Sequence, residues 1–242
     1  MVFQPIVDVA TGLTAGVEAL ARPRNGTGFR SAQAFFNAAE ASGRASEADR
    51  LAHRRALRAW RGLPWPGALF LNCAPGALIE PGTIERLARR AERFGLSPKQ
   101  IVLEVTERQS WADEVALAAA IAKAHAHGFQ IALDDVGAGW SGLSRILMLR
   151  PEWIKLDRSF VQSLPHDGMC RHLVRGLVQF GLDAGIRIIA EGVETRPELH
   201  AAIEAGVTHV QGYLLARPNG TPATPDESII TSMRAWRIAN AA

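Results

Sequence analysis

Cysteine is almost missing from this 242-residue chain: Cys73 and Cys170 are the only two, and neither sits in a CxxC or other metal-binding spacing. That excludes a disulfide framework and a zinc–thiolate site, and it fits a reducing compartment where both thiols serve as small buried apolar groups. Cys73 follows Asn72 at the end of an apolar run, but no histidine partner is visible for it, so a thiol nucleophile is not expected. Membrane-spanning segments are missing too, since no apolar run reaches about 18 residues. The opening MVFQPIVDVA lacks the basic start and long apolar core of a signal peptide. The expected location is therefore the cytoplasm. No Pro/Gly/Ser-rich linker or low-complexity stretch divides the sequence, so residues 1–242 are expected to form one domain. Charge of one sign is scarce as well, with a formal net charge of only +3. The arginines that dominate the basic side (Arg50, Arg54, Arg55, Arg58, Arg61 and Arg86, Arg89, Arg90, Arg93) fall on predicted helices and read as solvated faces. They are not interleaved with aromatics as in single-strand binders, so no nucleic-acid polymer is expected as a partner.

What is present is an ordinary globular balance, 48% hydrophobic and 21% charged, at a length close to the roughly 250 residues of one α/β barrel. VFQPIVDVATGLTAGVEAL reads as a hairpin turning at Ala10–Gly12. Helices are expected at 31–42 and 46–61, the second opening on a capping box between Ser46 and Asp49. Another is expected at 81–94, stopped by Gly95. ALFLN, IVLEV, FQIALD, WIKLD, IRIIA and THVQG read as strands, separated by helices at 111–126, 141–149, 167–184 and 195–205, with a last helix at 226–240. Strands alternating with helices imply right-handed βαβ units and a parallel sheet, and strand interiors this apolar are covered on both faces. The hairpin predicts one strand running antiparallel to the rest.

Polar residues recur where these apolar runs stop: Glu18, Asn72, Glu104, Asp134 with Asp135, Lys155 and Asp157, Glu191, Gln211. A parallel barrel gathers strand ends on one rim, where barrel enzymes carry their active sites. Carboxylates, one amide and one lysine there suit hard divalent cations, which prefer oxygen ligands. Structural ion pairs would need several arginines at the same rim, and only Arg22 is near; buried carboxylates must be paired or metal-bound. Taken singly, Asn72 also fits a turn before Ala74–Pro75, Lys155 a plain counter-charge, Arg22 a loop residue before Pro23, and Glu107 a helix N-terminus. His125 and His127 fall at a helix C-terminus, where histidine is favoured electrostatically.

The blocks GVEALAR, LNCAP, LEVTE, DDVGAG, IKLDRSF, EGVET and QGYLLARP, preceded by FQPIVD, occur in order from Gln4 to about Pro218. Together they resemble the EAL domain, the cyclic-di-GMP phosphodiesterase family. The resemblance implies a modified TIM (β/α)8 barrel with one antiparallel strand near the N-terminus, its core at about 3–218. It implies hydrolysis of cyclic di-GMP to linear pGpG by two divalent metals, Mg²⁺ or Mn²⁺, with Ca²⁺ inhibitory because it tolerates looser geometry. By similarity, Glu18, Asn72, Glu104 and Asp134 hold the first metal; Asp134 bridges to the second, which Asp135 and Glu191 complete. Lys155 contacts the attacking water. The surrounding carboxylates favour its charged form, so a positioning and electrostatic role is expected rather than that of a base. Arg22 matches a phosphate fork, Gln4, Asp157, Glu194 and Gln211 match ligand-side positions, and Glu107 matches a glutamate that tethers the loop after the DD pair. A homodimer and an upstream sensor or GGDEF domain also come from the resemblance. The family loop DDFGTGYSSL reads DDVGAGWSGL here, with Val136, Ala138, Trp140 and Gly142 as departures, and only three residues precede Gln4 where the family begins with a helix. Either that helix is absent or the chain is the tail of a longer protein. Loss of the hydroxyl at 138 leaves the loop less constrained. The alternative is a degenerate domain that binds the dinucleotide as a receptor. Restoring Phe at 136 and Thr at 138 is expected to raise turnover in a phosphodiesterase assay, and unchanged turnover would remove the loop argument.

Overall fold

The structure, a computed structural model, describes residues 1–23, 26–61, 67–106, 113–137 and 142–239. Strands β1 (Val2–Asp8), β2 (Thr14–Leu20), β3 (Ala68–Asn72), β4 (Ile101–Thr106), β5 (Gln130–Val136), β6 (Trp153–Leu156), β7 (Arg187–Ala190) and β8 (His209–Val210) close a barrel in chain order. β1 runs antiparallel to both neighbours, β2 and β8, and the other pairs are parallel. This is the expected barrel with one reversed strand. The reversal follows from the tight turn after Asp8, where Asp8 N–H donates to Leu13 O at 2.9 Å and Gly12 takes a φ of +69°.

The helices are α1 (Ala32–Ala41), α2 (Ala45–Trp60), α3 (Pro75–Leu78), α4 (Thr83–Arg93), α5 (Glu114–Ala126), α6 (Gly142–Leu149), α7 (Arg158–Ser163), α8 (Gly168–Ala184), α9 (Arg196–Glu204) and α10 (Glu227–Ala239). Several start on side-chain caps: Asp113 before α5, Asp157 before α7, Asp167 before α8, and a full Thr195/Glu198 capping box at α9.

The strands alternate with period two, and that alternation makes both the core and the rim. Outward residues such as Val17, Leu71, Leu103, Leu133, Ile154 and Ile188 join the helices in one large apolar core. Inward residues Ile6, Phe70, Val102, Ala132, Trp153 and Ile189 form a separate plug inside the barrel. A Cβ on Gly16 of β2 would lie 2.7 Å from the Phe70 ring, so this glycine makes room for the plug. Two residues beyond each plug position stands a polar group: Glu18 after Gly16, Asn72 after Phe70, Glu104 after Val102, Asp134 after Ala132, Lys155 after Trp153, Glu191 after Ile189 and Gln211 after His209. Reversed β1 supplies Gln4 two residues before Ile6, which lands on the same rim because Gln4 pairs with Glu18.

Several local expectations need correction. The capping box at Ser46 does not form: α2 starts at Ala45 without a side-chain cap, and Asp49 instead accepts the Ala74 N–H at 2.7 Å. The helix expected at 81–94 starts later, at Thr83, because Gly82 adopts a left-handed φ of +74°; α3 is an additional short helix before it. The sequence pattern does not announce α7, whose cap, Asp157, follows directly on the strand WIKL. THVQG narrows to two strand residues. Residues 111 and 112 lie outside the described residues.

Beyond the barrel, Asn219 bridges back to Phe3 through two backbone hydrogen bonds of 2.7 and 3.0 Å. α10 then covers the β1–β2 turn. Arg234 donates to Thr11 O, Arg237 donates to Ala10 O at 3.2 Å, and Trp236 stacks on His200 of α9 at 3.9 Å.

At the opposite end of the barrel from the rim, His209 packs edge-on against Trp153 at 4.9 Å and lies 3.6 Å from Asp8. Burial lowers its pKa to about 4, with Arg187 acting the same way and Asp8 opposing. In the unfolded chain a histidine takes its proton near 6.5. Stability is therefore full above about 6.5 and falls as the pH drops toward 4, because only the unfolded chain binds the proton in that window. In urea titrations across pH 4–7, His209→Phe is expected to flatten this dependence. An unchanged slope would show that other groups set it.

Candidate functional site

Lys155 stands at the centre of the rim. It is 1% exposed, and its Nζ lies 3.3 Å from Glu18, 2.6 Å from Glu104, 3.2 Å from Asp134 and 2.5 Å from Glu191. Those acids come from β2, β4, β5 and the residue after β7, so one ammonium ties together four segments far apart in sequence. Burial alone would lower the lysine pKa, but Asp134, Glu104, Glu18 and Glu191 outweigh it and hold it well above its ordinary value. Lys155 is thus firmly charged. Glu18 is pushed up by burial, but the opposing pull of Lys155 with hydrogen bonds from Asn72 and Gln211 leaves it below the usual carboxylate range. Glu104 and Glu191 go the other way. Burial raises both, reinforced for Glu104 by Glu18 and Asp134 and for Glu191 by Asp134 and Glu18, and Lys155 offsets this only in part.

The amides are built into the same network. Asn72 Nδ2 donates to Glu18 Oε1 at 2.9 Å. Gln211 Nε2 donates to Glu18 Oε2 at 2.9 Å and to Gln4 Oε1 at 3.4 Å. Gln4 in turn donates to Ala216 O at 3.2 Å. These bonds fix the Glu18 carboxylate from both sides.

Asp134 and Asp135 reach one site through a bulge. On β5, Leu133 pairs with Ile154 and Val136 with Leu156, so three steps face two on β6. Strict alternation would send the two aspartates to opposite faces. Asp135 instead takes a φ of +59°, a left-handed conformation that aspartate tolerates better than most residues. Oxygens of Asp134, Asp135 and Glu191 then lie within 4.8 Å of one another. The strand thus runs on through the pair to Val136, rather than ending before it. Val136 is buried, so the Val136→Phe reversal carries an overpacking cost of about 1–3 kcal/mol. Gly137 is required for another reason: a Cβ there would fall inside the Phe160 ring.

Two clefts, of about 310 and 340 Å³, meet at this ring and share Glu18, Leu20, Asp134 and Asp135. The first is bounded by Arg22, Asp49, His53 and Asn72, the second by Asp157, Arg158, Glu194 and Tyr213. Arg22 is exposed in the first cleft and donates to Ala21 O at 2.8 Å. Asp157 caps α7 through Ser159 N–H at 2.8 Å, and Glu194 pairs with Arg158 at 3.0 Å, so both line the second cleft while already engaged. Glu107, Ala138 and Trp140 lie outside the described residues.

Sequence reasoning missed three features. Thr106 Oγ1 donates to Asp135 Oδ2 at 3.1 Å; its place two residues after Glu104, on the same strand face, was the available signal. Asp49 and His53 line the first cleft from α2. Cys73 does have a histidine neighbour, since His53 Nε2 lies 3.5 Å from its sulfur. Burial, with Asp49 and Glu104 nearby, nevertheless pushes the thiol pKa well up, so Cys73 stays protonated and is a poor nucleophile.

The donor set fits hard cations. Glu104 is 1% exposed, and its Oε2 has no hydrogen-bond partner among the described residues, a costly condition for a carboxylate unless a cation satisfies it. Glu18, Asn72, Glu104, Asp134, Asp135 and Glu191 could hold divalent ions.

A barrel with one reversed strand and an acid rim of this composition defines a class, and comparison with known proteins gives the family. The EAL domain model matches residues 1–218, and the chain belongs to the EAL domain family. It is 30% identical over 222 residues to the cyclic di-GMP phosphodiesterase PA2567 of Pseudomonas aeruginosa, covering 90% of this chain and 38% of that protein. Its fold superposes with a TM-score of 0.83 on Klebsiella pneumoniae BlrP1 in a calcium and cyclic di-GMP complex, at 31% identity over 90% of this chain and 55% of that one. A standalone EAL protein from Vibrio cholerae, solved with cyclic di-GMP, gives 0.84 at 26% identity over 94% and 95% of the two chains. The chain therefore spans well under half the length of PA2567 and about half that of BlrP1.

Lys155→Met would leave four carboxylates facing one another without their shared cation. Breaking a buried ion pair from one side typically costs about 3–5 kcal/mol. A loss of that order is expected in urea denaturation with chelator present; a variant as stable as the original would show that the ammonium does not hold the rim together.

Proposed function

We propose that this chain is a metal-dependent phosphodiesterase domain that hydrolyses cyclic di-GMP to linear pGpG. The observation that carries the reading is the charge balance at the rim. With all five carboxylates ionised (Glu18, Glu104, Asp134, Asp135, Glu191), as bound cations would hold them, the ring less one ammonium carries four negative charges, the amount two divalent cations neutralise. Glu18, Asn72, Glu104 and Asp134 would hold one ion, and Asp134, Asp135 and Glu191 the other, with Mg²⁺ or Mn²⁺ suited to these oxygens. Bound there, the ions would supply Lewis acidity and a water of lowered pKa. Related structures support the choice: BlrP1 has been solved with cyclic di-GMP and either calcium or manganese. We read calcium as unproductive here, because it accepts looser coordination.

The chain's own residues do the positioning. Lys155, held charged by its four acids before any ion binds, is read as a positioning group; its ammonium orients water and opposes the negative charge that grows on the phosphoryl oxygens. Gln211 and Asn72 hold Glu18 in one orientation. Arg22 projects its guanidinium into the first cleft, where it can fork onto a phosphate. Two clefts meeting at the acid ring suit a ligand with two nucleoside halves joined by phosphodiesters. Gln4, Gln211, Asp157 and Glu194 would line the ligand's path, and Glu107 would order the loop after the aspartate pair.

We further read residues 1–242 as one cytoplasmic barrel domain with α10 as its closing helix, acting in a bacterial protein with a sensor or GGDEF domain upstream. Among the described residues no helix is long and apolar enough to cross a membrane. A homodimer is supported by the stripe Met169, Leu173 and Phe180 on α8, exposed by 77, 58 and 40%.

The deciding experiment incubates the chain with cyclic di-GMP and Mg²⁺ or Mn²⁺, then separates products by chromatography. Metal-dependent pGpG is expected, falling to the metal-free level in Glu18→Ala. Tight dinucleotide binding without product would make the domain a receptor and overturn the hydrolase reading.

A further inference from the structure

We propose that Asp49 and His53, both on α2, are positioning residues that set the Asn72 amide toward the metal ring; this rests on the metal-site reading above. The two are one helical turn apart, so they share a face of α2, and they are 5 and 6% exposed. They grip the backbone on either side of Cys73. His53 Nε2 donates to Asn72 O at 2.8 Å; a carbonyl only accepts, so the proton is on Nε2. Asp49 Oδ2 accepts the Ala74 N–H at 2.7 Å. Between them, Cys73 N–H donates to Glu104 O at 2.9 Å. Three successive backbone groups where β3 leaves the barrel are therefore held, two by side chains of α2 and one by the strand residue that carries Glu104.

The Asn72 side chain starts from this clamped segment and ends on Glu18 Oε1 at 2.9 Å. Asn72 is the last residue of β3; just beyond it the sheet contributes the Cys73 N–H bond to Glu104 O, and α2 supplies the other two holds. Ligand sites depend on outer partners that hold ligand orientation, and removing one typically costs about 10–100-fold in metal affinity. A clamp that merely satisfied buried backbone groups would support folding and leave metal affinity unchanged, and this difference makes the proposal testable.

The test is calorimetric titration of the full chain with Mn²⁺, alongside thermal melting in chelator. His53→Leu removes the donor. His53→Gln keeps an N–H at the end of a side chain of similar reach. His53→Phe keeps the ring without the donor and answers the same question if His53→Leu does not fold. Expected is Mn²⁺ affinity about tenfold weaker in the Leu or Phe variant, with the Gln variant within about threefold of the original. Equal affinity in the donor-less variant and the original, or equal loss in the Gln and donor-less variants, would overturn the proposal. Absence of Mn²⁺ binding by the original chain would overturn the metal-site reading itself, a result separate from either of those.

Discussion

One buried ammonium organises the rim of this barrel. Lys155 is the shared cation for acids delivered by β2, β4, β5 and the end of β7, and four converging carboxylates would otherwise repel one another in a region poor in water. Burying so many charges is not a device for stability; ion pairs of this kind often contribute less than well-packed apolar groups would. The arrangement makes sense as a site held ready for further positive charge. The lysine keeps the strand ends together while leaving a net negative ring, so the cost of assembling the acids is met partly by folding and partly by ions.

Everything beneath the ring follows from the two-residue repeat of a β-strand. The same register that turns Phe70, Val102, Ala132, Trp153 and Ile189 into the plug turns the residue two places on into the rim. Function and packing are therefore linked within each strand: the apolar plug sets the height at which the polar groups emerge. Reversed β1 obeys the same rule read backwards, which is how Gln4 arrives beside Glu18.

Much of this was legible in the sequence. Strands and helices alternate so regularly that the barrel and its reversed strand could be read directly, and polar residues ending apolar runs marked Glu18, Asn72, Glu104, Lys155 and Glu191 as rim positions. What could not be read depends on contacts across the chain. Asp49 looks like part of a helix cap next to Ser46, yet it is drawn to the Ala74 amide 25 residues away. His53 and Cys73 are 20 residues apart and meet only because α2 packs over the end of β3. Gly82 sets the start of α4 by a backbone angle that residue type permits but does not announce. The first-cleft residues on α2 escaped notice because nothing in a helical sequence says which face will look into a cleft.

The bulge in β5 has a genetic consequence. Because three residues of β5 span two of β6, the adjacent aspartates share one face only while that extra residue is present. Point substitutions can exchange either acid and leave the geometry standing. Deleting a single codon anywhere in Gln130–Leu133 would instead shift the phase of the strand, carrying an acid out of the ring and an apolar residue into it. In this segment the site depends on the number of residues between Gln130 and Val136 as well as on the identity of the two acids, so the paired aspartates are a matter of strand length.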